Sequence, residues 1–112
     1  MTLYKKHVSE PWFSYISSGK KFVEGRLNKG TFAELKIGDT VEWFNNKKKV
    51  KTKVVDIIHY KTFTDMIKKE GLKNTLPGYK RINKGVNDVY YKFYSKQDEK
   101  KYGVVAIKLI LT

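Results

Sequence analysis

The sequence predicts an α+β domain in which a small curved sheet or barrel carries helices packed beside it. Its 112 residues amount to one domain, 1–112, and 40% of them are hydrophobic, which is enough for one core. Apolar residues recur with a period of two in some segments and of 3.6 in others, so both strands and helices are expected. Strands outnumber helices and do not alternate with them, which argues against a series of βαβ units.

The first quarter of the chain predicts a strand, a helix and a second strand. Residues 3–8 form the first strand. Pro11 suits the first turn of a helix, and Ser18-Gly19 ends it. Residues 21–27 form the second strand. The helical spacing is carried by Trp12, Tyr15 and Ile16.

A hairpin is expected in the middle of the chain. A turn at residues 36–39 leads into a strand at 40–44, and Asn45-Asn46 signals the next turn. We expect Lys47-Lys48-Lys49 at the tip of this hairpin, either as a solvated loop or in contact with phosphate. Residues 50–58 then alternate as a long strand whose end is buried on both faces.

The second half of the chain predicts two helices and a last strand. Thr62 and Asp65 form a capping box for a helix that Gly71 ends. Residues 86–94 place apolar side chains at helical spacing, so Phe93 is expected in the core. Residues 103–111 form the closing strand. The stripe of the second helix consists of Val86, Val89, Tyr90, Phe93 and Tyr94.

The balance of charge favours a polyanionic partner. The chain has 24 Lys and Arg against 11 Asp and Glu, a net charge of +13, and such an excess on a small domain attracts nucleic acid above all. Only Arg26 and Arg81 are arginines. Because lysine is a point charge without arginine's planar fork, the composition indicates contact with phosphates more than readout of bases.

Other classes of site are not expected. Without cysteine there is no disulfide or thiolate metal site. His7 and His59 have no partners at metal-ligand spacing, so we expect no metal and no cofactor, and we expect both to be core histidines. No apolar run approaches the ~20 residues of a membrane span, and the N-terminus lacks a signal-peptide core. We therefore expect an intracellular, cytoplasmic domain, or a nuclear one if the source is eukaryotic or viral.

The most informative stretch is Gly19 to Arg26, which places two cations around a carboxylate. On a strand, Glu24 and Arg26 share one face, and Lys21 joins them only if it still lies in the preceding turn or if a bulge intervenes. Spacing alone favours a surface ion pair of little energetic weight. The functional interpretation is a site in which Glu24 accepts a proton or a base amine, while Lys21 and Arg26 stabilise an anion.

Two further groups are candidates for nucleic-acid contact. Trp12 begins the helix that leads into this stretch, and Tyr79-Lys80-Arg81 combines a ring with two cations on an expected loop. Aromatic residues at regular spacing are more often core than stacking platforms. That reservation applies to Trp43, Tyr90, Tyr91 and Tyr94.

Gly19-x-Lys21-x-x-Glu24-x-Arg26 resembles the G-x-K-x-x-E-x-R signature of ASCH domains, which belong to the PUA-like superfamily. Further landmarks of that family match in order at residues 10–12, 35–41, 60–71, 76–78 and 102–107. The resemblance implies a PUA-like β-barrel of about five to six strands with two to three helices beside it. It also implies a cleft lined by Lys21, Glu24 and Arg26 that binds RNA, another nucleic acid, or a nucleotide or nucleoside.

The resemblance also leaves enzymatic activity open. One related branch resembles amidohydrolases of N4-acetylcytidine, which use a lysine, a threonine and a distant glutamate. Lys21 aligns with that lysine, but Glu24 stands where the threonine hydroxyl would be, and Glu70 is only a weak match for the glutamate. Other relatives are described as ribonucleases. A binding domain, a small hydrolase and an interaction module whose charge serves only solubility remain the alternatives.

Overall fold

The computed structural model describes all 112 residues, Met1–Thr112, and has the predicted α+β fold. Five strands form one sheet in the order β1-β3-β4-β5-β2, curled into a half-barrel. Only β1 and β3 are parallel, and the other neighbours are antiparallel. The strands are β1 Leu3–His7, β2 Val23–Leu27, β3 Thr40–Asn45, β4 Lys48–Tyr60 and β5 Val104–Leu111.

Six helices pack beside the sheet, of which the sequence predicts three. The predicted helices are α1, α3 and α5, and the additional ones are α2, α4 and α6. No helix is long and apolar enough to cross a membrane. The bounds are α1 Trp12–Ser17, α2 Thr31–Glu34, α3 Phe63–Glu70, α4 Leu72–Thr75, α5 Ile82–Gly85 continuing through a π-helical turn Val86–Tyr90 into Tyr91–Phe93, and α6 Lys96–Tyr102.

The curl of the sheet originates in β4, which pairs its two halves with different partners. Residues 48–53 pair with β3, and residues 52–60 pair with β5. The register shifts between Val54 and Asp56, and such a bulge bends a strand and increases its twist. The edge strands β1 and β2 consequently approach each other without pairing, and a gap remains between them.

The β3–β4 hairpin is tighter than the sequence predicts. Asn46 and Lys47 alone form the tip, because Asn45 already pairs with Lys48. Asn46 has a φ of 54°, a left-handed conformation that asparagine tolerates and that two-residue hairpins require. The prediction that Lys48 and Lys49 lie at the tip is therefore wrong, since both belong to β4.

The π-helical turn changes which side chains of α5 are buried. The Tyr91 N–H donates to the Val86 carbonyl, five residues back, so this turn holds an extra residue and rotates the residues after it. Val86 and Tyr90 are buried as predicted, but Phe93 is 64% exposed. The prediction that Phe93 lies in the core is wrong for this reason.

The observed burial of side chains also tests the predictions for Trp43, His7 and His59. Trp43 is fully buried, and its indole N–H donates to the Thr52 hydroxyl at 2.9 Å, so it is not a stacking platform. Both histidines are exposed instead of core: His7 lies on the solvated side of edge strand β1, and His59 lies near the end of β4. Gly25 lets α3 approach β2, because a Cβ there would lie 2.6 Å from Met66 Cε.

Candidate functional site

A cleft of about 330 Å³ lies at the gap between the two edges of the half-barrel. Its walls come from the end of β1, from β2 and the residues just before it, and from the helices α1 and α5. The lining residues are His7, Val8, Ser9, Trp12, Lys21, Glu24, Gly25, Arg26, Leu76, Val89, Tyr90, Phe93 and Tyr94.

Lys21 lies between the turn that follows α1 and the start of β2, and this position brings its side chain back to Glu24. Its side chain is buried, with the residue 2% exposed. The ammonium donates to the carbonyl of Val23 at 2.9 Å and to the carbonyl of Thr75, and it lies 3.2 Å from Glu24 Oε1. All three N–H groups of Lys21 are thus engaged within the protein.

Glu24 is the centre of the cluster. Oε1 faces Lys21, and Oε2 accepts from Arg26, with both Nε and Nη2 at 2.9 Å. The residue is only 6% exposed. The interpretation as a surface ion pair is therefore wrong, and we call Lys21, Glu24 and Arg26 the buried charge cluster.

Arg26 ties the two edges of the half-barrel together. Its Nη2 donates to the backbone carbonyl of His7 at 3.1 Å, at the end of β1. The guanidinium also lies over the rings of Phe32 and Trp43, at 4.8 and 5.4 Å from their centroids. The guanidinium also faces the Tyr94 hydroxyl. Its Nη1 makes no hydrogen bond to Glu24 or His7, so Arg26 has a donor that a ligand can use, whereas Lys21 has none.

Burial and charge act in opposite directions on the pKa of each member. Burial lowers the pKa of Lys21, although Glu24 partly opposes this shift. Burial would raise the pKa of Glu24, but Lys21 and Arg26 outweigh it and lower that pKa. Burial would lower the pKa of Arg26, and Glu24 outweighs it and raises that pKa. The carboxylate is consequently ionised at neutral pH.

Tyr90 carries a buried hydroxyl without a hydrogen-bond partner. Its ring stacks on Phe63 with centroids 4.1 Å apart, and the hydroxyl lies beside Gly25, which also lines the cleft. Burial, together with the charge of Glu24, raises the pKa of Tyr90 well above its usual value. The hydroxyl is therefore protonated and has an unused donor, which is costly for a buried group.

Trp12 lines the cleft, as a ligand-contacting residue would, and Tyr79-Lys80-Arg81 does not. The Trp12 ring lies 5.6 Å from the Lys21 ammonium. Tyr79 stacks on Trp12, at 6.3 Å between centroids, and supports it from outside the cleft. Lys80 and Arg81 are exposed outside the cleft.

Glu70 is not part of this site. Its carboxylate pairs with Lys108 at 3.1 Å and accepts from the Tyr60 hydroxyl. No cluster of three or more His, Asp or Glu side chains suited to a metal ion is present. The sequence does not place Phe93, Val89 or residues 7–9 at the site, because the π-helical turn and the approach of β1 to β2 leave no local signal.

This arrangement suits recognition of a flat ligand that bears an anion or a carbonyl. The cluster has two cations and one carboxylate, and Arg26 and Tyr90 both offer donors to a ligand. Aromatic side chains of Trp12, Phe93 and Tyr94 stand on the walls. A cleft of about 330 Å³ lies within the range of small-ligand pockets.

Comparison with known proteins supports the resemblance seen in the sequence. Residues 7–112 match the ASCH domain family. The hypothetical protein PH0355, known from a crystal structure, is 40% identical, with 100% of both chains covered and a TM-score of 0.90. Protein PF0455 from Pyrococcus furiosus, known from a solution NMR structure, is 38% identical, with 97% of this chain and 96% of that chain covered and a TM-score of 0.81.

A more distant neighbour shares the fold. The ASCH protein of Zymomonas mobilis, crystallised as a serine-to-alanine mutant, is 14% identical, with 96% of this chain and 67% of that chain covered and a TM-score of 0.58. No curated protein matches the chain.

Proposed function

The chain belongs to the ASCH domain family, and on that basis we propose that it binds RNA or a nucleotide, with one nucleotide or nucleoside in the cleft beside Lys21, Glu24 and Arg26. ASCH domains are PUA-like and generally bind RNA. The net charge of +13 supports a polyanionic ligand.

The observation that carries the proposal is that Tyr90, which lines a cleft of nucleoside size, has a buried hydroxyl without a hydrogen-bond partner. A buried donor without a partner costs about 1–3 kcal/mol, so a ligand that accepts from it gains more than an ordinary hydrogen bond would give. Ring nitrogens and carbonyl oxygens of nucleobases are such acceptors.

Each member of the buried charge cluster has a distinct role in this proposal. Arg26 offers its Nη1 to a phosphate or carbonyl oxygen of the ligand. Glu24 fixes the guanidinium in place, because its Oε2 accepts a hydrogen bond from Arg26 Nε and forms an ion pair with Nη2. Lys21 is a positioning residue, because its donors hold Glu24 and two backbone carbonyls.

The geometry favours binding over hydrolysis. Both oxygens of Glu24 are engaged by cations that lower its pKa, which makes it a weak base. Lys21 has no free N–H, and Glu70 is paired elsewhere. A hydroxyl nucleophile at position 24 is absent, so an amidohydrolase reaction of the related branch has no support from these residues.

The test compares two adjacent tyrosines whose substitution should have opposite effects on stability and on ligand affinity. In Tyr90→Phe we expect no loss of stability and an affinity for a nucleoside monophosphate that is weaker by roughly 5- to 150-fold, the equivalent of the about 1–3 kcal/mol that the unpaired donor costs the free protein. Tyr91 donates to Glu99 at 2.7 Å outside the cleft. Tyr91→Phe should therefore lower the melting temperature and leave affinity unchanged.

Titration of the four ribonucleoside monophosphates, followed by amide NMR shifts and calorimetry, measures both effects. Shifts confined to residues outside the cleft, or equal affinities in the two variants, would contradict the proposal.

Incubation with acetylated cytidine and with RNA, followed by mass spectrometry, detects any hydrolysis. Product formation that depends on Glu24 would contradict a pure binding function and show that the protein is a hydrolase.

A further inference from the structure

A second concentration of charge lies on the solvent side of the sheet, away from the cleft walls. Lys49, Lys51 and Lys53 alternate along β4 and are exposed, while Thr52 between the last two is buried. Alternate residues of a strand point to the same face, about 7 Å apart. The three ammonium groups therefore form a straight row on one face.

Neighbouring strands extend this row sideways. The register pairs Lys51 with Glu42 of β3, and Glu42 with Lys5 of β1. Lys5 is exposed, and none of these four lysines lies within salt-bridge distance of a carboxylate. We call Lys5, Lys49, Lys51 and Lys53 the lysine face. Glu42 lies between Lys5 and Lys51 on this face and is 8% exposed, so four exposed cations face solvent with one largely buried carboxylate among them.

The lysine face leads to the mouth of the cleft. In the next register row, Lys49 pairs with Phe44, and Phe44 pairs with His7. His7 lines the cleft, and its carbonyl accepts the hydrogen bond from Arg26. A chain that follows the lysines across β3 and β1 therefore reaches the cleft without leaving the surface.

We propose that the lysine face binds the sugar–phosphate backbone of single-stranded RNA while one nucleotide of the same strand occupies the cleft. This inference rests on the proposed function and extends it from a single nucleotide to an oligonucleotide. Point charges in a row contact successive phosphates without reading bases. A duplex is disfavoured because its paired bases cannot enter the cleft.

Two triple variants with the same loss of charge test the proposal. Lys49→Gln/Lys51→Gln/Lys53→Gln removes most of the lysine face. Lys68→Gln/Lys69→Gln/Lys100→Gln removes three exposed lysines from α3 and α6, which do not line the cleft. All six side chains are exposed, so both variants should fold, which circular dichroism and melting temperature verify.

The probes are a labelled mixed-sequence single-stranded RNA of about eight nucleotides, a length suited to one small domain, and the nucleoside monophosphates. In the lysine-face variant we expect RNA affinity to fall by about tenfold or more at roughly 0.1 M salt, because three phosphate contacts are lost. The slope of log affinity against log salt should decrease by about 2 units, as expected for three lost phosphate contacts to a single strand. Monophosphate binding in the cleft should not change. The α3/α6 variant should keep the slope within about half a unit of the parent.

Other results would overturn the inference. Equal losses in the two triple variants would mean that total charge, and not this face, governs RNA affinity. If binding to vesicles with phosphatidylserine depends on the lysine face but binding to RNA does not, the face binds a membrane surface instead. If no monophosphate binds but the lysine-face variant still loses RNA, the proposed cleft ligand is wrong while the lysine face remains the RNA surface.

Discussion

The buried charge cluster and the lysine face use the same residue type in opposite ways. Lys21 is 2% exposed, and its three donors are engaged within the protein. Lys49, Lys51 and Lys53 are exposed and unpaired. The first arrangement fixes geometry at short range, and the second attracts anions at longer range and is screened by salt. A net charge counted from the sequence does not distinguish the two.

The two regions also differ in the effect that one substitution has on the protein. Removing a member of a buried pair strands a charge without its partner, which is among the costliest changes in a protein. Removing an exposed lysine leaves only water in its place, and most such changes are nearly neutral. Three measurements test this contrast, beginning with the one of greatest expected size.

Glu24→Gln should destabilise the fold by about 3–5 kcal/mol, because Lys21 and Arg26 would remain buried without a counter-charge. The matched control on the exposed region is Lys51→Gln, which should change stability by less than about 0.5 kcal/mol. Urea denaturation followed by circular dichroism measures both. Similar costs for the two variants would show that burial does not separate these regions.

Phe93→Ala tests the rim of the cleft, where an apolar side chain is exposed without being core. Because Phe93 is 64% exposed, its removal should change the unfolding free energy by less than about 0.5 kcal/mol. Loss of a stacking surface should weaken binding of single-stranded RNA by about 1–3 kcal/mol, or roughly 5- to 150-fold. A stability loss of several kcal/mol with unchanged affinity would show that Phe93 is a core residue and not a stacking surface.

The smallest effect is expected on the decrease in unfolding free energy at acid pH. Glu24 has a pKa lowered from 4.5, so it binds fewer protons folded than unfolded. Its contribution is complete above pH 4.5 and is lost as the pH falls through the folded-state pKa. Glu24→Gln should therefore flatten the fall in unfolding free energy below pH 4.5, whereas Lys51→Gln should not. Parallel profiles for parent and Glu24→Gln would refute the assignment.

Local patterns in the sequence are sufficient to predict most elements. Of the predicted capping box at Thr62, the N-cap bond is confirmed, since the Asp65 N–H donates to the Thr62 hydroxyl at 3.0 Å, while the return bond from the Thr62 N–H to Asp65 is not formed. The same kind of N-cap begins α6, a helix not predicted from the sequence: the Ser95 hydroxyl accepts from the Asp98 N–H at 3.0 Å. The α+β class and the order of strands along the chain follow from such signals.

Long-range geometry is beyond the sequence. The parallel pairing of β1 with β3 brings His7 to Arg26 across 19 positions, and nothing local encodes it. The burial of Glu24 is equally hard to predict, since spacing alone suggests that Glu24 lies on the surface. A family signature indicates which residues meet, and only the packing of α3 to α5 against β2 shows that they meet in the interior.

The π-helical turn at Val86–Tyr90 makes the cleft tolerant of a change in chain length. A π turn holds one residue more than an α turn at the same place, so it absorbs that residue while the helix before and after it keeps its position. Deleting one exposed residue of that turn, such as Asn87, would restore a regular helix and leave Phe93 at the rim. Related chains can thus gain or lose one residue here and keep this wall of the cleft.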